Sequence, residues 1–345
     1  MQPDGTGEAN YRGFQADRER ALSCSRRALA GLMQLKLLVT PLARGAWFDE
    51  RLEVAREELA LLLPGVEAEI EHWAGLELLS VELAKERVPE LARLSFLQAV
   101  FEVTGDALRP LALEPAYALP SALVTEARYP GKTNERVTAQ AVNVALAVAG
   151  HGPHRLLDPV AGRGTTLLTA ARYGIEAYGV ERDVKALADF RRNVKKITKL
   201  HRIKHKLSEG SVIKRRRDGA GRYLAFTFPQ SGVRLVAGDS ADPQLVGRGR
   251  YTLVVGDLPY GIQHRGPGGR RDPLDTLAAC APTWAAALAP GGAMVLIFNA
   301  LQPRPERLHA LFAQQGLELL PTRCTHRMSE SIVRQLAVFR RPVAS

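Results

Sequence analysis

Apolar and polar positions follow two different regimes along the chain. In the first, Leu32–Val39 is a short apolar run followed by Pro41, as a buried strand would be. From Phe48 to Leu63, apolar residues recur at helical spacing (Leu52, Ala55, Leu59, Leu62, Leu63) and stop at Pro64-Gly65. Val66–Ile70 alternates with period two, and Leu76–Leu83 reads as a further strand. Val88–Val100 reads as a second amphipathic helix, leading out through Phe101–Val103 to Thr104-Gly105-Asp106. The order β-α-β-β-α predicts a small α+β layer over residues 31–115 with helices on one face. Residues 1–30 are polar and Arg-rich and read as a frayed tail or short helix, while the Pro-containing stretch within Arg109–Pro130 marks a boundary, with 116–136 as linker.

From Val137 the pattern becomes alternating helices and apolar strands. Helices are expected at 137–149, 165–173, 184–197, 275–288 and 305–315. Strands are expected at 155–157, 177–180, 233–237, 251–255 and 293–298, then at 317–323 and 333–339. Repeated βα units predict a doubly wound parallel sheet over 137–345, and the last two strands are close enough to pair as an antiparallel hairpin.

The 345 residues suffice for two domains, and 46% apolar with 24% charged residues are ordinary globular values. No apolar run nears the roughly 20 residues of a spanning helix, so no membrane span is expected. Met1-Gln-Pro-Asp-Gly lacks the basic start and apolar core of a secretory signal. Cys24, Cys280 and Cys324 lie far apart and form neither a disulfide framework nor a Cys-x-x-Cys pair, so a reducing cytoplasm and no bound metal are expected.

The charge changes the picture more. There are 47 Lys+Arg against 36 Asp+Glu, a net +11. Arg191–Arg222 alone holds 13 bases and two acids, so the rest of the chain, with 34 of each, is neutral. Residues 49–90, with 12 acids and four bases, are acidic. The basicity thus belongs to one segment, which points to a polyanion met at one place.

Asp158-Pro-Val-Ala-Gly-Arg-Gly-Thr165 sits where a strand ends and a helix begins. Gly162 and Gly164 let backbone approach a ligand, and Thr165 and Thr166 open a helix with free N–H groups. No Gly-Lys-Ser/Thr follows, which excludes a P-loop, and Leu167 at the third small position makes a dinucleotide reading weak. Downstream, Glu181 closes the next strand and Asp239, before Ser240, closes the third, two carboxylates placed to accept from hydroxyl or amino groups of a ligand at the strand ends. Taken singly, each is an ordinary solvated loop acid; three strand-end acids in this order favour a site.

Asp257-Leu-Pro-Tyr-Gly261 follows the fourth strand. An exocyclic amino nitrogen has its lone pair delocalised into the ring, and acceptors on both N–H bonds localise it for an in-line displacement. The Asp257 carboxylate and the Leu258 carbonyl, aimed by Pro259, supply those acceptors, and Tyr260 supplies a stacking face for a base. Positioning carries most of such a reaction. The plainer alternative is a strand–turn containing Pro-Tyr.

These residues resemble the class I S-adenosylmethionine-dependent amino-methyltransferases with an (Asn/Asp)-Pro-Pro-(Tyr/Phe) motif. Within that group they are most similar to the RNA guanine-N2 methyltransferases, the tRNA guanine-10 enzymes and their THUMP-associated relatives, over residues 120–345. The resemblance implies a Rossmann-like α/β domain with a seven-stranded sheet, preceded by a ferredoxin-like α+β domain seen most clearly in Leu91–Glu102. It implies S-adenosyl-L-methionine as cofactor, held by Asp158, Pro159, Ala161, Gly162, Gly164, Thr165, Glu181, Arg182, Asp239, Ser240 and Asp257. It implies catalysis by Asp257, Leu258, Pro259 and Tyr260 on guanine N2 in tRNA, with Leu258 replacing the family's first proline. Ribosomal RNA or DNA, and adenine N6, are alternatives served by the same motif, and a nucleic-acid-binding protein without turnover is the alternative of another class.

An insertion at 199–232 is not expected of the family, and the chain before the linker is too short for a full THUMP domain. Arg191, Arg192, Lys195, Lys196 and Lys199 prolong a helix, and Lys214, Arg215, Arg216 and Arg217 precede an Asp-Gly turn. With Tyr223, Phe226 and Phe228 following, they read as RNA contacts combining phosphate binding with base stacking; a solvated loop is the alternative. Lys132-Thr-Asn134 reads as lining the cofactor pocket, and loop 261–271 with His264 as a connection beside the chemistry.

Overall fold

The structure, a computed structural model, describes residues 31–343 except 48–49, 115–116, 128, 130–131, 214–219, 260–272 and 323. The 1–30 tail, Lys214–Arg217, Tyr260, and loop 261–271 with His264 lie outside the described residues. The chain forms two compact units. One runs to Ala116 and includes Leu320–His326; the other comprises Tyr117–Leu319 and Arg327 onward.

The first unit is a five-stranded antiparallel sheet with one long helix. Strands β1 (Leu32–Val39), β2 (Ala68–Trp73), β3 (Leu76–Ala84), β4 (Leu97–Thr104) and β5 (Ala107–Leu111) are ordered β2-β3-β1-β4-β5. Central β1 alternates, burying Leu35, Leu37 and Val39 on one face. Helix α1 (Arg51–Leu62) covers that face with Leu52, Ala55 and Leu59. Its buried Glu58 accepts from both the backbone N–H and the hydroxyl of Ser95, so the carboxylate is satisfied inside the core.

The second helix expected here is absent. Lys85–Arg93 is a 3₁₀ segment, and β4 begins at Leu97. Val88, Leu91 and Leu94 are buried at intervals of three, the period of a 3₁₀ turn, and Pro89 lies inside the segment. Leu97–Thr104 is then drawn into the gap between β1 and β5, where both backbone edges find partners.

The second unit is an α/β layer around a ten-stranded sheet. Its strands are β6 (Arg155–Asp158), β7 (Glu176–Glu181), β8 (Lys206–Ser211), β9 (Arg222–Thr227), β10 (Gly232–Ala237), β11 (Tyr251–Asp257), β12 (Leu288–Asn299), β13 (Glu318–Leu320), β14 (Thr325–Ser329) and β15 (Ile332–Arg340). The order is β13-β15-β12-β11-β6-β7-β10-β9-β8, with β14 paired to β15. The five strands β12, β11, β6, β7 and β10 are parallel; β15, β9 and β8 add antiparallel. The sheet exceeds the expected seven strands by β8, β9 and β14; β8 and β9, within the expected insertion, pair with each other antiparallel at the β10 edge. The expected strand 317–323 is reduced to Glu318–Leu320.

The longer helices of this unit are α2 (Glu135–Ala149), α3 (Thr165–Arg172), α4 (Lys185–Leu200), α5 (Pro273–Ala287) and α6 (Pro305–Ala313). Met294–Phe298 of β12 are all essentially inaccessible, as expected for a strand covered on both faces. One core cluster packs Trp284 of α5, stacked on Phe312 of α6, against Phe298 and Phe339. From β6 the chain winds outward through β7 to β10, then returns to β11 on the other side of β6 and continues to β12. The β6–β11 junction is the topological switch point, where the crevice beyond the strand ends receives ligands in such sheets. No helix of the described residues is long and apolar enough to cross a membrane.

Candidate functional site

Four acids stand at the carboxyl ends of four neighbouring parallel strands. Asp257 closes β11, Asp158 closes β6, Glu181 closes β7, and Asp239 lies two residues past β10. Glu181 and Asp257 each lie close enough to Asp158 for their charge to act on its carboxyl. Such a cluster favours a cationic group between them.

The loop after β6 is built to stay open. Ala161 N–H donates to the Val180 carbonyl, and Gly162 N–H donates to Glu181 Oε2 at 2.8 Å. Asp183 N–H donates to Glu181 Oε1, so the carboxylate is oriented from both sides at the crevice. Gly162 is left-handed (φ 50°) with open space where a side chain would begin, which leaves its backbone approachable. Gly164 is also left-handed (φ 84°) and caps α3; here the void is filled, because Phe190 of α4 packs into it. Gly179 of β7 lets Ala161 and Leu167 pack against the strand. Pro159 continues this turn, and Thr165 and Thr166 are buried at the head of α3.

Asp158 is buried, and its Oδ1 accepts from Val160 N–H at 3.0 Å. Loss of hydration raises its pKa to about 7, against the lowering effect of the Thr166 and Val160 hydrogen bonds. The unfolded chain ionises this group near 3.8. The folded state therefore binds more protons between those values, and stability falls as pH rises from about 4 to 7. At about 1.4 kcal/mol per unit this cost approaches roughly 4 kcal/mol above neutrality in the ligand-free protein. Asp158→Asn is expected to remove it. Chemical denaturation at pH 5 and pH 8 should show a smaller pH-dependent loss in the variant than in the parent; equal losses contradict the assignment.

At β11, Asp257 Oδ2 accepts from the Thr133 hydroxyl at 2.6 Å. Leu258 N–H donates to the Ile297 carbonyl at 2.8 Å, and the Leu258 side chain is buried in the core. A proline at 258, as in the motif the sequence resembles, would forfeit that bond, and leucine extends the pairing with β12. Pro259 is exposed beyond it.

Several residues around the site escaped the sequence reading. Tyr129 and Thr165 share a hydroxyl–hydroxyl hydrogen bond, and the Arg163 guanidinium lies 5.7 Å from the Tyr129 ring while pairing with Asp189 at 2.8 Å. Burial pushes the Tyr129 phenol up from its ordinary range. Thr133 was visible only within the tripeptide Lys132-Thr-Asn134, where Asn134 caps α2 through Arg136 N–H.

On the β10 side, Asp239 Oδ1 accepts from Ala241 N–H at 2.9 Å, and Asp239 itself is exposed. Ser240 is buried and hydrogen-bonds the Cys280 thiol, whose acidity burial weakens; Asp239 and the exposed Arg182 lie near the same thiol.

Arg191, Arg192, Lys195, Lys196 and Lys199 all project from the solvent face of α4. Arg191 pairs with Glu209 of β8 and Arg192 with Asp189, whereas no ion pair engages the three lysines among the described residues. The aromatic part of the RNA-contact expectation is corrected. Phe226 and Phe228 are buried, packed with Phe190 and His205, and Tyr223 is covered by Arg234 at 4.6 Å. Their strand spacing serves the attachment of the β8–β9 pair to the core, so Phe226 and Phe228 offer no ring to a base.

No protein-family model matches the chain, and no curated protein sequence matches it. Solved structures similar to it include TrmN from Thermus thermophilus, at 15% identity over 90% of this chain and 99% of that one, with a TM-score of 0.46. Another is a methyltransferase from Pyrococcus furiosus, at 15% identity over 63% of this chain and 88% of that one, with a TM-score of 0.41. A third is magnesium protoporphyrin IX methyltransferase from Synechocystis with bound S-adenosylmethionine, at 13% identity over 60% and 79%, with a TM-score of 0.40.

Proposed function

We propose that the chain is an S-adenosyl-L-methionine-dependent methyltransferase acting on the exocyclic amino group of an RNA base, guanine N2 in tRNA. The observation that carries the reading is the convergence of Asp158, Glu181 and Asp257 at the β6, β7 and β11 ends, beside the open backbone at Gly162. These residues fit the cofactor's chemistry. Glu181 presents an oriented carboxylate to two vicinal hydroxyls, Asp158 and its neighbours suit a cationic amino acid end, and Asp239 with Ser240 suits the adenine. When bound, the cofactor supplies an electrophilic methyl on a sulfonium.

The chain's own residues then have defined tasks. Asp257 and the Leu258 carbonyl accept the two N–H bonds of the target amino group and turn its lone pair toward the methyl. Restricting that nitrogen to one approach replaces a bimolecular search with an oriented encounter. Tyr260 is proposed to stack on the base. The order β2-β3-β1-β4 of the first unit is read as a ferredoxin-like layer, residues 31–115, ahead of a linker at 116–136 and a catalytic domain at 137–345.

Lys195, Lys196 and Lys199 with Lys214–Arg217 are the proposed phosphate contacts. Replacing the three helix lysines with alanine is expected to weaken RNA binding about ten-fold and to flatten its salt dependence by up to about three units of slope. Filter binding at several salt concentrations checks this; unchanged slope removes α4 from the interface. Incubation with labelled S-adenosylmethionine and separate tRNA, rRNA and DNA tests the acceptor. Label in tRNA supports the reading, and label confined to rRNA or DNA replaces it.

A further inference from the structure

We infer that Thr133 is a positioning residue for the reaction: its hydroxyl, donated to Asp257 Oδ2 at 2.6 Å, fixes the plane in which that carboxylate meets the target amino group. This rests on Asp257 being the acceptor for the amino group. The two residues are 124 apart in sequence, so the contact is made by the fold and not by a local turn.

A carboxylate turns easily about its terminal torsion, which is broad and roughly two-fold. A β-branched donor, stiff at its first torsion, restrains it well. Thr133 is itself held on both sides. The Lys132 ammonium donates to the Val124 carbonyl at 2.6 Å and pairs with Glu135. On the other side Asn134 caps α2 through Arg136 N–H at 2.9 Å, and its carbonyl receives Thr138 N–H. On the partner's side, β11 lies between β6 and β12, and Leu258 N–H is tied to Ile297. Donor and acceptor therefore both stand on braced backbone.

The polarity also matters. An ionised carboxylate only accepts, so the Thr133 hydroxyl must donate to it. That leaves the carboxylate's orientation defined for a substrate that brings donors, as an exocyclic amino group does. Valine has the shape of threonine without the hydroxyl, and serine keeps the hydroxyl without the methyl.

Thr133→Val is expected to lower kcat about ten- to a hundred-fold, with the KM for RNA and the affinity for S-adenosylhomocysteine changed less than about three-fold. Thr133→Ser should keep kcat within about three-fold of the parent. In the ligand-free protein, carbon NMR of the Asp257 carboxyl should show its titration moving to higher pH in Thr133→Val and not in Thr133→Ser, because a donor to the charged form has been removed. Unchanged kcat in the valine variant, or a serine variant as slow as the valine one, overturns the positioning role. If the parent transfers no methyl at all, the reading of Asp257 fails instead, and identical carboxyl titrations in parent and valine variant then overturn the Thr133 contact independently. Thr133→Ala serves in both measurements should the valine variant not fold.

Discussion

Replacing Asp257 with alanine is expected to reduce methyl transfer about a thousand-fold or more while leaving the fold intact and cofactor affinity within about ten-fold of the parent. The carboxylate is one of two acceptors that the proposed chemistry needs, and the other, the Leu258 carbonyl, cannot orient the amino group alone. The fold survives because β11 is held by its parallel pairing with β6 and β12 and by Leu258 N–H on Ile297, none of which uses the Asp257 side chain. The structural cost is the stranded Thr133 hydroxyl, worth about 1 kcal/mol at a half-buried position. Calorimetric titration with S-adenosylhomocysteine, alongside the rate, separates the roles. Retained affinity with lost turnover is the expected pattern; retained turnover removes Asp257 from the chemistry.

The second large effect is on stability. Gly164→Ala places a methyl carbon 2.5 Å from Phe190 Cε2, far inside contact distance, at a backbone angle of φ 84°. Phe190 is fully buried and packs edge-on against Phe226, so its ring has little room to retreat. Left-handed backbone costs alanine about 1–2 kcal/mol and overpacking adds about 1–3, for a loss of about 3 kcal/mol. Urea denaturation should show it. Gly162→Ala is the internal comparison, since open space surrounds that position and only the φ 50° strain remains. Equal losses at the two positions would mean that Phe190 is not the obstacle.

Much of this site was legible because its residues sit at strand ends, and strand ends can be read from where an apolar run stops. Asp158, Glu181 and Asp257 close β6, β7 and β11, and each apolar run ends one or two residues short of its acid. What the sequence hid was anything made by packing. Val88, Leu91 and Leu94 suit a helical face as well as a 3₁₀ turn, and the choice fell to β4, which fills the sheet between β1 and β5. Phe226 and Phe228 share one face of a strand, but only the arrival of Phe190 and His205 makes that face a core. Thr133 has no signal of its own, since its meaning lies in Asp257 across the fold. What Leu258 gains over the proline of the resembled motif is visible only in the β11–β12 pairing.

The measurement that tests the central claim most directly is the identity of the methylated nucleoside. Transfer RNA incubated with the protein and labelled S-adenosylmethionine is digested to nucleosides and separated. The proposed pairing of Asp257 and the Leu258 carbonyl with an amino group, taken with the resemblance to guanine-N2 enzymes, predicts label in N2-methylguanosine, lost in Asp257→Ala. Label in N6-methyladenosine would contradict the guanine assignment, and label on a ring carbon, a ring nitrogen or a ribose oxygen would contradict amino-group transfer altogether.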